Sequence, residues 1–164
     1  MQPLNLPPYD IKTRREGDKV QVFDVLRRRY VTLTPEEWVR QHFVHFLMDH
    51  LGYPQTVIAN EVELRIGAKH LRCDSLCYTS DVRPRMIVEY KSPKVVLTRK
   101  VFEQISAYNL LLHVDYLVVS NGLQHACCKM DYVNNSFEFL DHIPTYGEVC
   151  ATASQQNDEG CVKD

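Results

Sequence analysis

The sequence has no apolar run approaching the roughly 20 residues that cross a bilayer, so no membrane span is expected. Its N-terminus, MQPLNLPPYD, lacks the charged and apolar regions of a secretory leader, which points to the cytoplasm. No two cysteines are spaced C-x2-C: Cys73, Cys77, Cys127, Cys128, Cys150 and Cys161 are scattered or adjacent. That argues against a zinc site and against a disulfide framework. His125 and Cys127 can share a strand face, but two ligands fall short of a zinc site. There is no Gly-rich P-loop, which excludes a motor ATPase of that type. There is no Ser-His-Asp set at a nucleophile elbow either. A large basic excess is also missing. The formal charge is -2; Glu148, Asp158, Glu159 and Asp164 against Lys163 give -3 after Gly147, and subtraction leaves the body near neutral. Charge alone therefore does not call for nucleic acid. The basic clusters Lys12-Thr13-Arg14-Arg15 and Arg27-Arg28-Arg29 read, each taken singly, as solvated surface.

What remains is the composition of an ordinary globular chain of 164 residues, enough for one domain with its own core. Residues 1–18 are Pro-rich and then charged, and read as an arm. The domain is expected over 19–147. Residues 148–164 turn small and polar from Ala151 onward and are expected to be a disordered tail. Lys19 to Phe23 and Arg28 to Thr32 are β-prone and predict an N-terminal hairpin. Thr34-Pro35-Glu36-Glu37 is a helix start: a Thr cap, Pro in the first turn, and acids at the positive end of the dipole. Trp38, Val39, Phe43, Phe46, Leu47 and Leu51 then recur at helical spacing. Strands are expected at about 56–66, 70–79 and 85–91, a helix at about 98–112, and strands at 116–120 and about 124–131. Asn121-Gly122 marks the turn between the last two. A short strand at 137–140 closes the series.

Chemistry concentrates on two of these strands. The hairpin register that sets Leu76 opposite Ile87 sets Asp74 opposite Glu89 and Arg72 opposite Lys91. Glu89 and Lys91 share a face because side chains alternate along a strand. Two carboxylates facing each other across a ladder are destabilising, and Glu89 lies in an apolar run, Met86-Ile87-Val88-Glu89-Tyr90. A hard divalent cation such as Mg²⁺ resolves both difficulties, since it is held by one or two carboxylates. It would stabilise charge on a phosphate and help to generate hydroxide, with Lys91 orienting water or offsetting negative charge. The other reading of the same residues is a cross-strand ion cluster neutralised by Arg72 and Lys91. The register decides which face everything occupies. Gln104 and Tyr108, four apart, lie along the edge of the buried stripe of helix 98–112. Gln104 must find partners, either backbone groups or the cleft. Glu36 or Glu37 could also point into the site, although dipole stabilisation accounts for at least one of them. Glu61 and Glu63 sit two apart on the first core strand, and one face of that strand brings an acid near Asp74.

Taken in order, these residues resemble a known family. Arg72-Cys73-Asp74, Ile87-Val88-Glu89-Tyr90-Lys91-Ser92-Pro93, Gln104-x-x-x-Tyr108-Asn109 and Val118-Val119-Ser120-Asn121-Gly122 look like the N-terminal nuclease domain of type I restriction enzyme R subunits, particularly its small stand-alone members. Leu33-Thr34-Pro35-Glu36-Glu37-Trp38-Val39-Arg40-Gln41 is similar to their opening helix. The resemblance spans about 31–146 and implies the PD-(D/E)xK phosphodiesterase superfamily. Its α/β fold would have an α-β-β-β-α-β core, with a mixed central sheet flanked by helices. It implies Mg²⁺- or Mn²⁺-dependent cleavage of DNA. Asp74 and Glu89 would be metal ligands, Lys91 the water-positioning base, Gln104 a catalytic residue, and Glu37, Glu61 and Tyr108 auxiliary. Tyr90-Lys91-Ser92-Pro93 departs from the Cys and Lys-Ala-Pro common in the family, at a position that points away from the metal. The translocase domains of an R subunit are missing, so a separate motor or specificity protein is an expected partner. A non-cleaving module that keeps the fold to bind DNA or a partner is the alternative.

Overall fold

A computed structural model describes residues 1–66 and 69–159, with the side chains at 64, 66, 69, 71, 104, 107, 108, 110, 111 and 153–159 outside that description. The expected turn at 67–69 thus falls largely outside the described residues.

The first sheet is small and antiparallel, ordered β1 (Thr13–Glu16), β2 (Lys19–Asp24) and β3 (Arg29–Thr32). β2 and β3 form the expected hairpin, with Val22 opposite Val31. β1 is an addition, drawn from the stretch read as an arm. It is fully exposed and gives no burial pattern to read, but Gly17 at φ +58° turns it back onto β2. The rest of the arm is also packed. Leu4 and Leu6 lie against the core, and Asn5 N donates to Gly122 O at 2.7 Å. Trp38 Nε1 reaches back to Gln2 O, and Tyr9 stacks on His45.

Helix α1 (Pro35–Asp49) begins as its sequence dictates: Thr34 Oγ1 accepts from Glu37 N at 3.0 Å, and Pro35 sits in the first turn. It is followed by Gly52 at φ +75°. The main sheet runs β4 (Ile58–Ile66), β5 (Lys69–Tyr78), β6 (Pro84–Tyr90), β7 (Tyr116–Ser120), β8 (His125–Asp131) and β9 (Ser136–Leu140) in that spatial order. Among the described residues only the β6–β7 pair is parallel, so the sheet is mixed, and α2 (Arg99–Leu112) makes the crossover that a parallel pair requires. Alternation along β6 divides the core. Met86, Val88 and Tyr90 pack with Val39, Phe43 and Leu47 of α1, while Ile87 packs with Leu76, Leu117 and Ile105 of α2.

Helix α3 (Tyr146–Glu159) occupies much of the expected disordered tail. Its start explains this: Glu148 accepts from Thr145 N at 2.7 Å while Thr145 Oγ1 accepts from Glu148 N, a reciprocal cap. Val149 is fully buried behind it, and Thr152 meets the Tyr116 hydroxyl.

Candidate active site

β5 and β6 pair in the register inferred above, with Ser75 opposite Val88 and Leu76 opposite Ile87. The turn spans 79–83, with a register shift at Cys77/Tyr78. The next position carries Asp74 on one strand and Glu89 on the other. There the ladder gives way to a side-chain bond: Tyr90 N donates to Asp74 Oδ2 at 2.9 Å. Lys91 follows the end of β6, its backbone N held by Ser120 O of β7 at 2.9 Å, and its Nζ donates to Glu89 Oε1 at 2.8 Å. Arg72 is not opposite Lys91. β6 ends at Tyr90, before Lys91, and the ladder partner of Arg72 is Glu63 on the other neighbouring strand, β4.

Both carboxylates are buried, Asp74 at 8% and Glu89 at 5% exposure. Burial, and then the charge of Asp74, push the Glu89 carboxyl up to about 7, against the pull of Lys91. Lys91 is held above its usual range: the bond to Glu89 and nearby acids outweigh burial, the largest single effect. In this state it is a cation and a donor.

A helix acid whose charge acts on this pair is Glu36. Its carboxyl is raised by burial and then by Asp74, against Arg40 and Lys91, and its charge acts in turn on Glu89. Glu37 goes elsewhere. Its oxygens accept from Arg27, Arg40 and Gln41 at 2.7, 2.9 and 2.7 Å. Helical geometry turns successive side chains apart, so only one of the two adjacent acids can face the cleft.

Two arginines tie the site together. Arg40 donates to Asp74 Oδ1 at 2.9 Å and to Glu37 Oε2 at 2.9 Å, with Glu61 Oε1 at 3.4 Å. Arg27, from the β2–β3 turn, donates to Asp24 Oδ2, Glu61 Oε2 and Glu37 Oε1 at 2.6, 2.8 and 2.7 Å. Arg27 is thus part of an internal network and not of a solvated basic cluster. Glu61 sits in β4 between Asn60 and Val62, which pair with Ser75 and Cys73, and so lies across from Asp74. Its φ of +55° is rare for a residue with a side chain and breaks the ladder there.

Gln104 and Tyr108 fall within α2, the helix over the Glu89 face of β6, but their side chains lie outside the described residues. Cys73, Cys77, Cys127 and Cys128 are buried free thiols. Among the described residues, no three His, Cys, Asp or Glu side chains form a ready-made metal cage. Asp74 and Glu89 nonetheless match the donor set that Mg²⁺ takes, one or two carboxylates with water completing the shell.

A match to the family described as "Type I restriction enzyme R protein N terminus (HSDR_N)" covers residues 35–144. The chain belongs to this family. Its fold is similar to that of a fragment assigned as an HsdR subunit of a type I restriction enzyme from Vibrio vulnificus YJ016, at a TM-score of 0.54 and 23% identity. That likeness covers 80% of this chain and 27% of the longer one. No curated protein matches the chain. No helix among the described residues is long and apolar enough to cross a membrane.

Proposed function

We propose that the chain is a PD-(D/E)xK nuclease module that hydrolyses DNA phosphodiester bonds with Mg²⁺ or Mn²⁺. The observation that carries this reading is the meeting of Asp74, Glu89 and Lys91 at one end of the β5–β6 ladder, where Glu89 is raised to about 7 beside Asp74. A dication is a group that such a carboxylate pair is suited to bind. Asp74 and Glu89 would hold it. When bound it supplies Lewis acidity toward a phosphoryl oxygen and lowers the pKa of water.

The protein's own part is orientation and charge. Tyr90 N fixes one Asp74 oxygen. Lys91, protonated and anchored through its backbone to β7, can turn its ammonium toward an attacking water or the developing negative charge. Glu36, which approaches Arg40 at 3.9 Å, would add a third carboxylate to the site beside Glu37. Glu61 supports through the arginines, and Gln104 and Tyr108 would contribute from α2. DNA is the substrate in this reading, with a motor or specificity protein in the cytoplasm as the partner proposed alongside it.

The test is nicking of supercoiled plasmid in Mg²⁺ and Mn²⁺. Wild type should nick. Glu89→Ala and Lys91→Ala should each reduce the rate by about 100-fold or more, the scale of losing a transition-state donor, while retaining a wild-type circular dichroism spectrum. Nicking that survives both substitutions would overturn the reading.

A further inference from the structure

The Asp74 carboxylate is held from two sides, and the second side is unusual. Tyr90 N, on the neighbouring strand, takes Oδ2; Arg40, one turn into α1, takes Oδ1 at 2.9 Å. Arg40 is 4% exposed, and its Nε has no hydrogen-bond partner among the described residues. A buried arginine with an unsatisfied nitrogen is a poor way to stabilise a core, since desolvation offsets much of the Coulombic gain. Its guanidinium, however, is rigid and forked. One arm fixes Asp74 while the other is fixed by Glu37 Oε2, whose own backbone N donates to the Thr34 cap three residues earlier in the same helix.

Arg40 is itself held in place from outside the helix. Arg27 binds the other oxygen of Glu37 and also Glu61, which approaches Arg40 at 3.4 Å. Arg27 in turn is fixed by Asp24, whose carboxyl sits below its ordinary range because bonds from Arg27 and Gln41 together outweigh burial. The left-handed backbone at Glu61 is what places an acid between the two guanidinium groups. The chain of contacts therefore runs Asp24–Arg27–Glu37–Arg40–Asp74, from the small sheet to the carboxylate.

We propose that Arg40 is a positioning residue for Asp74, clamped by Arg27 of the β2–β3 turn, so that the N-terminal sheet presets the metal-binding carboxylate. Each carboxylate oxygen keeps a second lone pair, so Asp74 can be oriented by Arg40 and still serve as a ligand. This rests on the metal-site reading above. Partners that orient a ligand typically set metal affinity by 10–100-fold.

The experiment is calorimetric titration of Mn²⁺ into the full chain, for wild type, Asp74→Asn, Arg40→Lys and Arg27→Lys, each checked for folding by thermal melt without metal. Arg40→Lys keeps the charge and removes the fork, so local electrostatics are preserved and geometry is lost. Wild type should bind Mn²⁺, Asp74→Asn should abolish binding, and Arg40→Lys should weaken it about tenfold or more. Equal or tighter binding by folded Arg40→Lys overturns the positioning role alone. If Arg40→Lys does not fold, Arg27→Lys decides: several-fold weaker binding supports the clamp, and unchanged affinity overturns it. Wild type that binds no Mn²⁺, or binds it equally with Asp74→Asn, overturns the metal-site reading and the positioning role with it.

Discussion

Glu89 is the residue whose environment most opposes its charge, and its effect on stability is open to measurement. Its folded pKa, about 7, lies above the ordinary value of 4.5. Between those two values the folded state holds a proton that the unfolded state has released. Stability from this group is therefore present at low pH and lost as pH rises toward 7. His42 and His125, both depressed by burial, act in the opposite direction, so the wild-type curve alone is not diagnostic. The difference between Glu89→Gln and wild type isolates the group. In metal-free protein, the variant should gain relative stability as pH rises from about 4.5 to about 7 and hold that gain above it. Urea denaturation across that range measures it. A difference independent of pH would mean that Glu89 titrates alike in the folded and unfolded states.

At the scale of elements, α1 does the most to assemble the site, because Glu36, Glu37 and Arg40 all lie in its first two turns. The cap sets where those turns begin. Thr34→Ala removes the oxygen that accepts from Glu37 N and should cost about 1 kcal/mol in chemical denaturation. A loss near zero would mean that the Pro35 turn and tertiary packing suffice. This start was legible in the sequence because capping is a local code. The β5–β6 register was legible for a similar reason: the short link between the two strands fixes which of their positions face each other. The arginine network was not legible. Arg27 meets Glu61, and Arg40 meets Asp74, across 34 positions in each case, and nothing local distinguishes them from surface cations. Which of Glu36 and Glu37 bonds Arg27, Arg40 and Gln41 was not legible either, because the helix's rotation about its axis is fixed by tertiary packing.

The whole molecule is a mixed sheet between α1 with α3 on one face and α2 on the other, with a small sheet and an N-terminal strap added around α1. The strap was read as an unpacked arm because its prolines and charges hide a few anchoring apolar residues. Leu4 and Leu6 bury against the α1 core cluster, and Leu4 comes within 2.7 Å of where a Cβ on Gly122 would sit. Gly122 at φ +80° is thus required both by the β7–β8 turn and by the strap that covers it. Deleting residues 1–8 should cost about 3 kcal/mol, the scale of exposing two leucines and the surface beneath them, with the secondary structure of the main sheet retained. Circular dichroism melts of the shortened chain measure it, and an unchanged melting temperature would show the strap to be dispensable.

All of these features converge on one pair of carboxylates at the end of β5 and β6. A crystal soaked in Mn²⁺ and measured at the manganese absorption edge tests that pair most directly. An anomalous peak within coordination distance of both Asp74 and Glu89 is the expected result. A peak held by other residues, or none at a Mn²⁺ concentration that supports nicking, would contradict the account.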